Sequence, residues 1–277
     1  MLSTPLSPLK GAFAFLALLL LAAPALAQTP FLPDEEKFGR PADQDNLSYC
    51  VDKRDPAWEV DAQIAEAIAS ALLLNPQPHY IEDQANRADL DQLYRQLLGD
   101  CRLFLGFKLI ADVYPDWLTI SHAYYQVSYV FVTADPSWTK LGDIPRDRAL
   151  GPSLATSADF QLVAFLKAQP VDQRWPRYPM ASDADALKAV MEGRVAAALV
   201  WAPSFYALKK SDPAMAALRV IASDPLPTEQ LPVGAVMLSG DSFLRDSLDQ
   251  AIAALTQDGT IAGILEKAGF PATVPAQ

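Results

Sequence analysis

The chain has 277 residues with 33 acidic and 22 basic side chains, a formal net charge of -11 at pH 7. So acidic a surface argues against nucleic acid and anionic lipid as partners and favours a basic partner protein. With half its residues hydrophobic and few low-complexity tracts, it has enough apolar surface to bury a sizeable core.

In chain order, the first segment carries Lys10, then the apolar run GAFAFLALLLLAAP, then Ala25-Leu26-Ala27 before Gln28. That pattern predicts a cleaved secretory signal over residues 1–27, a mature chain starting near Gln28, and a periplasmic location. The apolar stretch is shorter than the roughly 20 residues of a spanning helix, so no membrane span is expected in the mature chain. No cysteine stands just after the cleavage point to carry a lipid. The cluster Asp43-Gln44-Asp45-Asn46 resembles the start of a calcium loop but lacks its glycine and distal glutamate, so no metal is assigned.

Strand and helix signals then alternate. LSYCV reads as a strand, and residues 59–74 space Val60, Ile64, Ala67, Ile68 and Ala71 helically, ending near Asn75-Pro76. A polar helix covers residues 90–98 and stops at Gly99. CRLFLGF suits a strand buried on both faces of a parallel sheet, and SYVFVT is a second such run. Between them Asp112, Pro115 and Asp116 break the pattern, so the loop leaves the carboxyl end of the first strand, where open α/β sheets place ligands. Helices are predicted over residues 157–168, 183–191, 203–210, 243–255 and 261–268, and strands in VAAALVW and VGAVML. Residues 143–151 read as a turn region. The order implies an α/β fold with parallel sheets and right-handed crossovers, in two medium lobes.

Cys50 and Cys101 each sit in an apolar run, LSYCV and CRLFL. In an oxidising compartment a disulfide between neighbouring strands is the preferred reading, two buried thiols the other. Catalytic motifs are missing: there is no G-x-S-x-G, H-E-x-x-H or C-x-x-C-H. His79 and His122 are the only histidines. His122 falls in the cleft loop, where a structural role outweighs that of a base. The chain is therefore read as a binding protein with no cofactor, not as an enzyme.

The segments DALKAVMEGRVAAALVWAP and DSLDQAIAALTQDGTIAGILEKAG resemble the second-lobe unit and C-terminal helix pair of family 3 periplasmic solute-binding proteins. The resemblance implies the two-lobed, type II fold of periplasmic binding proteins, with two hinge strands, SYVFV and VGAVML, and a central cleft. It divides the chain into residues 28–131 plus 226–277 as one lobe and 132–225 as the other. Amino-acid binders of that family clamp the ligand's carboxylate with an arginine, and hold its amine with an acid. Here Tyr114 and Trp201 stand at those places, which implies an apolar or uncharged ligand.

LSYCVD, GDCRLFLGF, AYYQVSYVFVT and LVWAP are similar, in that order, to segments of the binding-protein-like accessory proteins of periplasmic PQQ alcohol dehydrogenase systems, the methanol-oxidation protein J type. Residues Tyr124, Tyr125, 128–132, Trp201 and Pro203 match; Lys53 to Trp58 depart from the usual stretch after Asp52. This resemblance implies a monomer that assists a PQQ-dependent dehydrogenase, with delivery of a small non-amino-acid solute to an ABC importer as the alternative. A dehydratase-like enzyme using a carboxylate such as Asp52 or Glu59 is a third. The residues assigned to ligand or partner binding are Asp52, Trp58, Phe107, Tyr114, Tyr124, Tyr125, Thr156, Ser157 and Trp201.

Overall fold

A computed structural model describes residues 45–82, 90–110 and 114–275. The expected signal segment, Asp43 and Asp112 lie outside the described residues. Among these, ten strands form two sheets, with seven α-helices packed on them.

The first sheet has the order β2-β1-β3-β10-β4, with β5 also paired to β10. Its strands are β1 (Asn46–Asp52), β2 (Asn75–Ile81), β3 (Leu103–Lys108), β4 (Leu118–Ile120), β5 (Tyr125–Val127) and β10 (Leu231–Leu238). Side chains alternate between its faces, as strand geometry requires. Tyr49 and Val51 of β1, Leu103 and Leu105 of β3, and Val233, Ala235 and Met237 of β10 join one core. That core also takes the buried faces of α1 (Trp58–Ala71), α6 (Ser242–Gln257) and α7 (Thr260–Ala268). Cys50, Phe104 and Val236 face the other way, onto Leu93 and Leu97 of α2 (Leu90–Gly99). The break between α6 and α7 falls at Asp258-Gly259, with Gly259 at φ +82°.

Cys50 and Cys101 are joined, with Cα atoms 5.6 Å apart. Cys50 lies on β1 and Cys101 just ahead of β3, and these strands pair in parallel with Cys50 opposite Phe104. The bond ties the base of α2 to the middle of the sheet.

The second sheet has the order β7-β8-β6-β9, from β6 (Tyr129–Thr133), β7 (Leu150–Pro152), β8 (Ala197–Trp201) and β9 (Arg219–Ile221). Phe131, Leu150, Leu199 and Ile221 meet Leu162 and Leu166 of α3 (Ser157–Ala168) on one face. Val132, Ala198 and Val200 meet Leu187 and Val190 of α4 (Asp183–Met191) and Phe205 of α5 (Ala202–Ser211) on the other.

Two expectations change. The sheets are mixed, not parallel: β1 pairs in parallel with β2 and β3, and β7 with β8, but β6, β9 and β10 run antiparallel to their neighbours. The antiparallel strands are the ones that carry the chain from one sheet to the other. SYVFVT does form one strand, β6, which belongs to the second sheet, but the chain changes sheet just ahead of it: the short strand β5, before Ser128, pairs with β10 of the first sheet. The return passes through residues 222–230, so SYVFVT and VGAVML lie on opposite sides of the crossings. The strand β2 was unforeseen because NPQPHYI carries two prolines. Prolines are tolerated at a sheet edge, where a missing N–H breaks no ladder, and β2 is such an edge.

Candidate functional site

A cavity of about 610 Å³ opens at the carboxyl ends of β1, β3 and β8, bounded by residues of both sheets. This is where open α/β sheets place ligands, and the volume is that of a small-molecule site.

On the first-sheet side, β1 ends at Asp52, which is 4% exposed and held by a two-pronged contact from Arg54, Nε to Oδ1 at 2.9 Å and Nη2 to Oδ2 at 2.7 Å. The carboxylate pushes the guanidinium pKa up through that hydrogen bond. Next, β3 delivers Gly106, Phe107 and Lys108 to the wall. Gly106 has φ +80°, and a Cβ there would lie 2.8 Å from Asp61 Oδ2, so only glycine lets the strand end come this close to α1. Its N–H donates to the Tyr124 hydroxyl at 2.8 Å, which donates in turn to Asp61 Oδ1 at 2.9 Å. The Tyr125 hydroxyl donates to the same oxygen at 3.1 Å. Burial first, then the Asp61 charge, raises both phenols well above their usual pKa.

Lys108 is the central cation. Its Nζ donates to the Tyr129 hydroxyl at 3.1 Å and lies 4.0 Å from the Trp201 ring centroid and 5.1 Å from that of Tyr129. The two rings are themselves 4.9 Å apart. Tyr114 donates its hydroxyl to the Lys108 carbonyl, and burial raises its pKa. Phe107 sits edge-on to Phe104 at 5.2 Å and to Tyr114 at 6.5 Å, completing an aromatic wall.

The second-sheet side presents the N-terminal ends of three helices. Thr156 caps α3 by accepting from the Asp159 N–H, and Arg177 holds Asp159 by a two-pronged contact at 2.6 and 2.7 Å. Asp183 opens α4 and accepts the Ser153 hydroxyl. Trp201 and Ser204 open α5, which has no side-chain cap. Thr156, Asp183, Trp201 and Ser204 all line the cavity.

Of the expected residues, Asp52, Phe107, Tyr114, Thr156 and Trp201 come together here. Trp58 lies in an adjoining, more open cleft, edge-on to Tyr80 at 5.9 Å with Lys53 5.6 Å from its ring. Ser157 borders a small slot with Tyr129 and Leu226. Tyr124 and Tyr125 are corrected: at 0% and 2% exposure they are core residues, drawn inward by the buried Asp61 carboxylate. His122 also stands outside the cavity; it is exposed, with its backbone N–H on Asp249 of α6. Arg54, Gln96, Lys108 and Asp183 also line the cavity and were not among the expected residues. The cavity is therefore not uncharged, since Lys108 and Asp183 bring charges from positions other than those of Tyr114 and Trp201. A lysine directly after an apolar strand, as in FLGFK, was the available signal for Lys108.

No protein-family model matches the sequence, and no curated protein matches it. Solved structures do. The L-cystine solute receptor of Neisseria gonorrhoeae, unliganded and open, superposes with a TM-score of 0.63 at 18% identity, over 85% of this chain and 97% of its own. The second substrate-binding domain of GlnP from Lactococcus lactis, also open, gives 0.63 at 16% identity over 83% and 97%. The GluR0 ligand-binding core in complex with L-glutamate gives 0.56 at 14% identity over 80% and 97%. At such identities the likeness concerns the fold, and on it the chain has the two-lobed α/β architecture of periplasmic binding proteins.

Proposed function

We propose that this is an exported periplasmic binding protein that holds a small organic solute in the aromatic cavity between its sheets and does no chemistry on it. The observation that carries the reading is the cavity of about 610 Å³ at the strand ends, walled by Phe104, Phe107, Tyr114, Tyr129 and Trp201. Sites of this size and lining bury most of a small ligand. The catalytic alternative finds no support in the side chains it needs, because Asp52 is tied to Arg54 and Glu59 borders only the outer cleft. In this reading residues 28–128 with 226–277 form one lobe and 129–225 the other, three residues earlier than the boundary at 131 expected from the sequence because β6 pairs with β8 and β9, and the crossings at Ser128 and residues 222–230 act as hinges. The two open neighbours at TM-scores of 0.63 fit a cleft in its open form.

Thermal-shift screening of small solutes tests this directly. A ligand at 100 times its dissociation constant stabilises by about 2.7 kcal/mol. No shift with any solute, at concentrations up to tens of millimolar, removes the reading.

A second reading, service to a PQQ-dependent dehydrogenase, is favoured by the segments shared with the methanol-oxidation group, of which Tyr129 and Trp201 lie in the cavity wall. The occupant is then a segment of the dehydrogenase system. Deleting the gene separates the two: loss of PQQ-dependent alcohol oxidation in periplasmic extract supports the accessory role, and loss of solute uptake with oxidation intact supports import.

A further inference from the structure

We infer that the cavity is built for an organic anion with an aromatic or branched apolar body, its charged end against Lys108. This deepens the solute-binding reading and rests on it.

Three observations converge. Among the described residues, Lys108 makes no ion pair; its ammonium is met by two aromatic faces and one phenol. The other cation of the wall, Arg54, is matched by Asp52. Second, Gln96 lines the same cavity at 6% exposure, and its Nε2 has no hydrogen-bond partner. A buried amide left unsatisfied is costly, and a small adjustment of the Gln96 side chain toward an anionic oxygen in the cavity would supply the acceptor it lacks. Third, α3, α4 and α5 turn their N-terminal ends toward the cavity, and the partial positive charge of helix N-termini favours anions.

The acids do not cancel this. Asp55 and Asp183 border both the cavity and the adjoining cleft, which places them at the shared rim, whereas Lys108, Gln96, Tyr129 and Trp201 do not border that cleft. Asp55 accepts the Ala57 N–H and Asp183 the Ser153 hydroxyl. The Lys108 ammonium already takes the faces of Tyr129 and Trp201, and its charge repels a second ammonium beside them, so the preferred ligand carries a carboxylate or similar anion without an α-ammonium.

Calorimetry with matched probes decides the point: 3-phenylpropionate and 4-methylpentanoate, their primary amides, and phenylalanine, the amino counterpart of the first. The carboxylates are expected to bind about tenfold or more tightly than the amides, the worth of one charge-assisted hydrogen bond. Phenylalanine is expected to bind no better than 3-phenylpropionate. Lys108→Met should abolish the preference for carboxylate over amide, and Lys108→Arg should keep it. Gln96→Leu should weaken carboxylate binding while leaving the unliganded protein as stable as before or more so. Amides that equal the carboxylates in the unaltered protein overturn the anion assignment and leave the solute site standing; phenylalanine bound tenfold tighter overturns it in favour of a zwitterion. Absence of binding by every probe, with other solutes bound, also overturns it, and absence of any ligand at all takes the solute-binding reading with it.

Discussion

Asp61 ties the core of the first sheet to the cavity wall, and its removal should be the most damaging single change near the site. The residue is 1% exposed on α1, and its Oδ1 accepts the hydroxyls of Tyr124 and Tyr125 at 2.9 and 3.1 Å. In Asp61→Ala both phenols stay buried without that acceptor. Each buried unsatisfied donor costs about 1–3 kcal/mol, so the two phenols together predict a loss of about 4 kcal/mol. Asp61→Asn keeps an acceptor oxygen in place and should cost about 1–2 kcal/mol. The tyrosines give an internal check. The Tyr124 hydroxyl also accepts the Gly106 N–H, so Tyr124→Phe orphans a strand-end amide as well as removing one of the two donors to Asp61 Oδ1, and should cost more than Tyr125→Phe. It should also weaken ligand binding, because Gly106 and Lys108 belong to the same strand end. Urea unfolding of the disulfide-intact protein, followed by the fluorescence of its five tryptophans, measures all four variants. An Asp61→Ala protein within about 1 kcal/mol of the parent, or a Tyr125→Phe variant that loses more than Tyr124→Phe, refutes the network argument.

The remaining predictions concern pH, the disulfide and a glycine. Burial raises the phenol pKa values of Tyr49, Tyr114, Tyr124 and Tyr125 above about 10, the unfolded value, so their contribution to stability is complete below pH 10 and is lost as pH rises beyond it. Absorbance at 295 nm should show the nine tyrosines ionising in two stages, the later one together with unfolding; a single stage near pH 10 with the fold intact contradicts this. Cys50 and Cys101 are 51 residues apart, so Cys50→Ala with Cys101→Ala should cost about 4 kcal/mol in the chain-entropy account, read as a lower urea midpoint, and an unchanged midpoint counts against it. At Gly234 a Cβ would lie 2.6 Å from Leu109 Cδ1, 2.8 Å from Ser121 Oγ and 2.9 Å from the His122 carbonyl oxygen, so Gly234→Ala should destabilise by about 1–3 kcal/mol; a change below about 0.5 means that the loop after β4 gives way freely.

The helices were the legible part of this fold. Residues 157–168 and 183–191 each combine an apolar stripe with a Thr or Ser cap that accepts the N–H three residues on, at Thr156 and Ser182, and both boundaries follow from local chemistry. The disulfide was legible for a similar reason, since two cysteines in apolar runs of a chain read as exported have few other fates. What the sequence hid was set by partners far away in the chain. NPQPHYI looks like a helix stop because its prolines forbid a central strand, yet they do not forbid an edge, and only the pairing with β1 makes β2 one. SYVFVT reads as one strand and is one, β6; what stayed hidden is the short strand β5 just before it and the change of sheet at Ser128, which depends on the neighbours that Tyr125 and Tyr129 find, Val233 on one side and Trp201 on the other.

The same non-locality explains the errors at the site. Tyrosine is amphipathic, so Tyr114, Tyr124, Tyr125 and Tyr129 look alike on the page. Asp61, more than 60 residues earlier, draws Tyr124 and Tyr125 into the core, and Lys108 leaves Tyr129 facing the cavity beside Trp201. An acid buried on a helix and a lysine at a strand end thus sort four similar rings into framework and wall. Both residues passed unnoticed because each was judged by its own surroundings in sequence, where Asp61 looks like first-turn helix chemistry and Lys108 like a solvated strand terminus. Charge anchors that sit outside a family's usual positions are found from the rings and helix ends that surround them, so the tyrosine at 114 does not by itself decide whether this cavity holds an anion.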